Sequence, residues 1–110
     1  MSTINPITTS DFSWGAVLSN VEALSDQTVD VTTQNAINGQ ELTLTLNSQQ
    51  HKGTIGNNQV RITIPASALQ ALQSTTQVET YTMTADLPGA TQVTSDSFTV
   101  DIKQEITTIR

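Results

Sequence analysis

Ten acidic side chains, a single histidine and one tryptophan with one tyrosine are the residues of this 110-residue chain whose types carry chemistry. Carboxylates are the oxygen ligands of Ca2+, which takes about six to eight of them, so a site needs several acids and carbonyls converging. Glu22 and Asp26 fall in an early loop and Asp101 at the end of the last predicted strand, and alternating strand directions bring these three to one pole. Asp11 and Asp86 would serve the other. The alternative is that all five are solvated loop carboxylates, since no dense Asp-x-Asp-x-Asp loop is present. His51 is the only possible base of a Ser-His-Asp triad. It sits in the polar stretch Gln49-Gln50-His51-Lys52 with no nucleophile elbow nearby and reads as exposed strand or turn. Glycoside hydrolysis would need two acids across a cleft, one of them desolvated, and no such cleft is evident in so small a domain. The chain reads as non-enzymatic. Trp14 and Tyr81 are either a sugar-stacking platform or core, and core is favoured, because Tyr81 shares an inward register with Met83 and Trp14 adjoins an apolar loop.

The elements that position these residues are strands. Leu42-Thr43-Leu44-Thr45-Leu46, Val60-Arg61-Ile62-Thr63-Ile64 and Tyr81-Thr82-Met83-Thr84-Ala85 alternate apolar and polar residues. A period of two places each apolar set on one face of a pleated strand, with β-branched Thr on the wet face. The full reading is seven strands, over residues 8–14, 28–33, 41–46, 51–55, 60–64, 79–86 and 97–102. Turns are expected at Asn35 to Gly39, Gly56 to Asn58 and Pro88 to Ala90, and residues 15–26 read as a loop or a single helical turn. Leu69 and Leu72 after Pro65 predict a short helical crossover within residues 65–77. Together these describe an all-β fold, an immunoglobulin-like antiparallel β-sandwich of about seven strands with one short helical crossover. A small barrel is the alternative.

Composition limits the partners. Four Lys and Arg against ten Asp and Glu, a net charge of −6, cannot build a basic stripe for phosphate backbones, so nucleic acid is not expected. No apolar run of about 18 residues predicts membrane insertion, and the first residues lack the basic and apolar regions of a signal peptide. With no Cys, the fold holds without disulfides. Twenty Thr, 10 Ser and 11 Gln suit wetted strand faces and leave no evident large apolar patch, so the isolated domain is expected to be a monomer. Residues 1–103 read as one domain and 104–110 as a linker. Ile7-Thr8-Thr9 is echoed by Ile106-Thr107-Thr108, 99 positions on, where the next copy of a tandem repeat would begin.

Six segments in order carry a resemblance: Ser13-Trp-Gly-Ala-Val-Leu-Ser-Asn-Val-Glu22, Gly39-Gln-Glu-Leu-Thr-Leu-Thr-Leu-Asn47, Lys52-Gly-Thr-Ile55, Ile64-Pro-Ala-Ser-Ala-Leu-Gln-Ala-Leu72, Tyr81-Thr-Met-Thr-Ala-Asp86 and Ser97-Phe-Thr-Val-Asp101. The chain resembles the bacterial Ig-like extender repeats of giant repeats-in-toxin surface adhesins over roughly residues 12 to 102. The resemblance implies a structural repeat on the bacterial cell surface, outside the cell. There it would project a distal ligand-binding region for adhesion or biofilm formation, with neighbouring repeats of the same chain as its partners. It also implies Ca2+ in the joints between domains, where Glu22, Asp26 and Asp101, or Asp11 and Asp86, would be the ligands. Where that family often has Asp-Ala-Ala-Gly-Asn, this chain has Asp86-Leu87-Pro88-Gly89-Ala90, which keeps the first Asp and loses the Asn. A different class stands beside this one: a carbohydrate- or protein-binding β-sandwich module of a secreted protein or a phage tail fibre.

Overall fold

The alternating segments become the centre of the fold, because each can bury one face against another sheet while Thr, Gln and the charged residues stay wet. The computed structural model describes residues 1–103, and the expected linker at 104–110 lies outside the described residues. In chain order the elements are β1 (Thr3–Ile4), β2 (Val17–Leu18), β3 (Gln27–Gln34), β4 (Glu41–Leu46), β5 (Gln49–Thr54) and β6 (Gln59–Ile64). After these come the helix α1 (Ala66–Gln70), β7 (Glu79–Tyr81), β8 (Thr84–Asp86), β9 (Val93–Thr94) and β10 (Phe98–Val100). Short 3-10 turns lie at Thr9–Asp11 and Glu22–Leu24.

One layer is the sheet β1-β3-β6; the other is made of β2-β10-β7 and β5-β4-β8-β9. The two halves of the second layer belong to one hairpin, because β7 and β8 are separated only by Thr82 and Met83. At the break Ser95 donates its N–H to the Met83 carbonyl at 2.8 Å, and the Ser95 hydroxyl accepts the Met83 N–H at 2.9 Å. A side chain thus takes over one rung of the ladder, and Ser95 is buried as a result. The core between the layers holds Val29, Val31, Leu42, Leu44, Leu46, Val60, Ile62, Ile64 and Met83. As expected, the helical crossover carries the chain from β6 in the first layer to β7 in the second.

The N-terminal segment departs from expectation. No strand spans Thr8 to Trp14: the chain pairs at β1, turns through Thr9–Asp11, meets β3 at a Phe12 to Val29 bridge and through Ser13, whose N–H donates to the Thr28 carbonyl at 2.9 Å and whose hydroxyl accepts the Thr28 N–H at 2.8 Å, and pairs again at β2. β2 also runs parallel to β10, so among the described residues the sandwich is antiparallel in its strand pairings apart from this one. Pro6, lacking an amide hydrogen, sits where the chain leaves the first sheet. The strand expected from His51 begins earlier, at Gln49, because Asn47 and Ser48 both take positive φ, at 51° and 65°, and close a two-residue hairpin between Leu46 and Gln49.

β5 and β6 are consecutive but lie in different layers, and they cross at the sandwich margin. A Cβ on Gly53 would lie 2.5 Å from Val60 Cγ2 and 2.9 Å from Ile62 Cγ1. Both neighbours are β-branched core residues held in few rotamers, so neither can yield. Gly53→Ala is therefore expected to lower unfolding free energy by about 1–3 kcal/mol through overpacking. Urea unfolding with an unchanged midpoint would show that the layers are not closely apposed there.

Candidate functional site

The C-terminal pole is where sequence reasoning places its first three acids, and hydrogen bonds between its loops fix its geometry. The Asn20 amide donates to the Ile102 carbonyl at 2.8 Å, and Gln73 donates to Asn20 Oδ1 at 2.9 Å and to the Asp101 carbonyl at 3.4 Å. Gln70 donates to the Ala23 carbonyl at 3.1 Å, and Lys103 N–H to the Ser74 carbonyl at 2.8 Å. The early loop, the crossover and the end of β10 thus meet at one pole.

The acids there have structural duties. Glu22 Oε1 accepts the Ser19 N–H at 3.0 Å while the Ser19 hydroxyl accepts the Glu22 N–H at 3.2 Å, a reciprocal cap on the 3-10 turn. Asp26 Oδ1 accepts the Ala66 N–H at 2.9 Å, which satisfies a free amide in the first turn of α1 from 40 residues away. Asp101 joins the pole through its backbone, its N–H donating to the Leu18 carbonyl. Of the second set, Asp11 accepts the Thr8 N–H at 2.9 Å beside β3, and Asp86, in the other layer opposite Thr43, accepts from Gln92 at 2.8 Å. Among the described residues no three Asp, Glu or His side chains gather into a metal-holding group. Within one domain two of the three expected carboxylates each hold a backbone amide through one oxygen, and a Ca2+ site at a joint between domains would need further oxygen ligands from the neighbour.

The aromatic residues resolve in favour of core. Trp14 is 5% exposed, stacked on Phe12 at 5.0 Å and set edge-on to Phe98 at 5.1 Å. Half-buried Tyr81 lies 6.4 Å from Phe98 and donates its hydroxyl to the Leu72 carbonyl at 3.0 Å, tying the crossover to β7. These are all four aromatic residues of the chain, and all four rings join one cluster at the core. Asn20, Gln73 and Ser95 are the structurally decisive polar residues that sequence reasoning missed; each is an ordinary loop residue by type, and only its partner gives it a role.

His51 is half-buried rather than exposed. It stands opposite Leu44 on the inner face of the edge strand β5, and its Nε2 is buried without a protein partner.

No family model matches the sequence, and no curated protein matches it. Among solved structures, a bacterial immunoglobulin-like domain from the M. primoryensis ice-binding adhesin is 21% identical, with 92% of this chain and 96% of that chain covered at a TM-score of 0.48. A structure from a 1.5-MDa bacterial ice-binding adhesin is 24% identical over 94% of this chain at a TM-score of 0.51. This chain spans about a third, 32%, of that one. The M1 domain from titin aligns over 94% of this chain and 95% of its own at 10% identity and a TM-score of 0.50. The fold is immunoglobulin-like, and bacterial adhesin domains share it.

Two expectations follow from the geometry. Asp26→Ala removes the remote cap of α1 and is expected to lower stability by about 1 kcal/mol, read by urea unfolding without added metal; no change would return Asp26 to the solvated acids. Burial holds the His51 pKa below its ordinary 6.5. The unfolded ring therefore takes up a proton first, and stability falls as pH drops through about 6.5 until the folded ring also protonates. Melting curves between about pH 7.5 and pH 5.5 should show a smaller loss for His51→Gln than for the parent chain. Equal losses would refute the assignment.

Proposed function

We propose that this domain is a structural extender repeat of a bacterial cell-surface adhesin, a spacer that projects a distal ligand-binding region for adhesion or biofilm formation. The observation that carries this reading is the placement of the two ends of the fold. The chain starts beside Asn35, where the Ser2 hydroxyl donates to the Asn35 carbonyl and Thr3 pairs with Gln34. It leaves at the other end, where Lys103 is held against Ser74. A sandwich threaded from pole to pole adds its whole length to an array, whereas one with both ends at the same pole would add almost none. The order of six sequence segments and the shared fold support the adhesin setting, and location on the outer cell surface follows from that setting.

Copies of the chain fused head to tail test the reading. Small-angle scattering of one, two and three copies should give a maximum dimension that grows by nearly equal steps. Growth with the square root of copy number, the behaviour of freely jointed units, would count against an extender. So would a parent gene with no second copy.

A further inference from the structure

We propose that successive copies are joined by direct apolar packing, the C-terminal pole of one domain seating Val21, Leu24, Val78 and Ile102 against the pole of the next that carries Met1 and Ile37. This rests on the extender reading and adds the contact that makes it stiff. Large apolar residues left exposed are an unusual use of surface when they cluster. Here the described residues with such exposure are Met1, Val17, Val21, Leu24, Ile37, Val78 and Ile102. Val17 stands on the edge strand β2; the other six divide between the two poles. Val21, just before the 3-10 turn that packs on α1, and Leu24, its last residue, are 77% and 71% exposed. Ile102 is bound through its carbonyl to Asn20, next to Val21, and Val78 precedes Glu79, which pairs with Val100. At the opposite pole Met1 adjoins Ser2, which is bonded to Asn35, and Ile37 follows in the same loop, 68% exposed.

The occupant is a second copy of this chain for two reasons. The described chain ends at Lys103 within the C-terminal patch, so whatever follows it is delivered there at high effective concentration with no search. Two of the acids at this pole are engaged in capping, Glu22 with Ser19 and Asp26 with Ala66, while the large side chains left exposed there are apolar. A joint of this kind needs no metal.

The test compares one copy with two fused copies, each as parent and as Val21→Ser with Leu24→Ser. Because both side chains are exposed within one domain, the double substitution should leave the single copy unchanged in melting temperature. The parent pair should melt above the single copy by about 4–8 °C, unaltered by a chelator, and the substituted pair should fall back to the single-copy value and bend in small-angle scattering. A substituted pair that stays straight and stabilised overturns this joint while leaving the extender intact. A parent pair that is flexible and unstabilised overturns both. Stabilisation that appears only with Ca2+ overturns the apolar joint. So does a single copy that dimerises with concentration and loses that on substitution, which would assign the patch to symmetric association. A single copy whose melting falls when it is truncated after Lys103 would assign the patch to residues 104–110, and that too overturns the proposal.

Discussion

The fold depends on the ring stack that fastens its N-terminal segment to its last strands. Phe12 and Trp14 lie nearly parallel, 13° apart, and both meet Phe98 of β10 edge to face, while Tyr81 of β7 closes the group from the other side. Aromatic pairs in such arrangements add about 0.5–1.5 kcal/mol each beyond the area they bury. In a chain with no cysteine and 35% apolar residues, spending every aromatic in one cluster concentrates adhesion where regular pairing is poorest. Residues 9–16 meet the first sheet through the Phe12 to Val29 bridge and the Ser13 hydrogen bonds beside it, so ring packing adds to a short backbone contact.

A second constraint follows from that anchoring. To place Phe12 and Trp14 inside, the chain must leave β1, turn through Thr9–Asp11 and rejoin the structure in the other layer at β2. The capping pair of Thr8 and Asp11 and the positive φ of 76° at Gly15 are the local devices for this. β2 then pairs parallel with β10, and this continuity between layers closes one margin of the sandwich. At the opposite margin Gly53 permits β5 and β6 to approach, so the two margins are shut by different means: a strand that changes sheets and a residue without a side chain.

These differences explain what was legible beforehand. The segments at 41–46 and 60–64 were readable because burial on one face imposes a period of two, and their buried Leu, Val and Ile fall where alternation places them. The crossover and the meeting of Glu22, Asp26 and Asp101 loops at one pole followed from counting strand directions. Thr8 to Trp14 was not legible as a turn, because its Thr and aromatic residues favour strands by type, and tertiary packing of the two rings overrode that preference. Nor was the use of the acids. By type Glu22 and Asp26 suit a calcium ligand and a cap alike, and only the amides of Ser19 and Ala66 at hydrogen-bond distance reveal the capping role.

Electrostatics and apolar exposure at the C-terminal pole act in opposite directions, and their balance bears on association. Glu22, Asp26, Glu79 and Asp101 all lie around Val21, Leu24, Val78 and Ile102, with Lys103 beside them as the one cation of the described residues at this pole, whereas Lys52 and Arg61 are paired along the strands with Glu41 and Asp30. Two free domains bringing such poles together would meet net negative charge on both sides before their apolar residues touched, and screening over about 8 Å at physiological salt only partly relieves it. A covalently attached neighbour faces a different balance. Its pole brings Met1 and Ile37 in place of a second copy of those four acids, and the linkage has already met the translational cost of association. In the proposed joint, a free partner would have to overcome that repulsion with the apolar contact alone, a cost that a tethered neighbour does not meet.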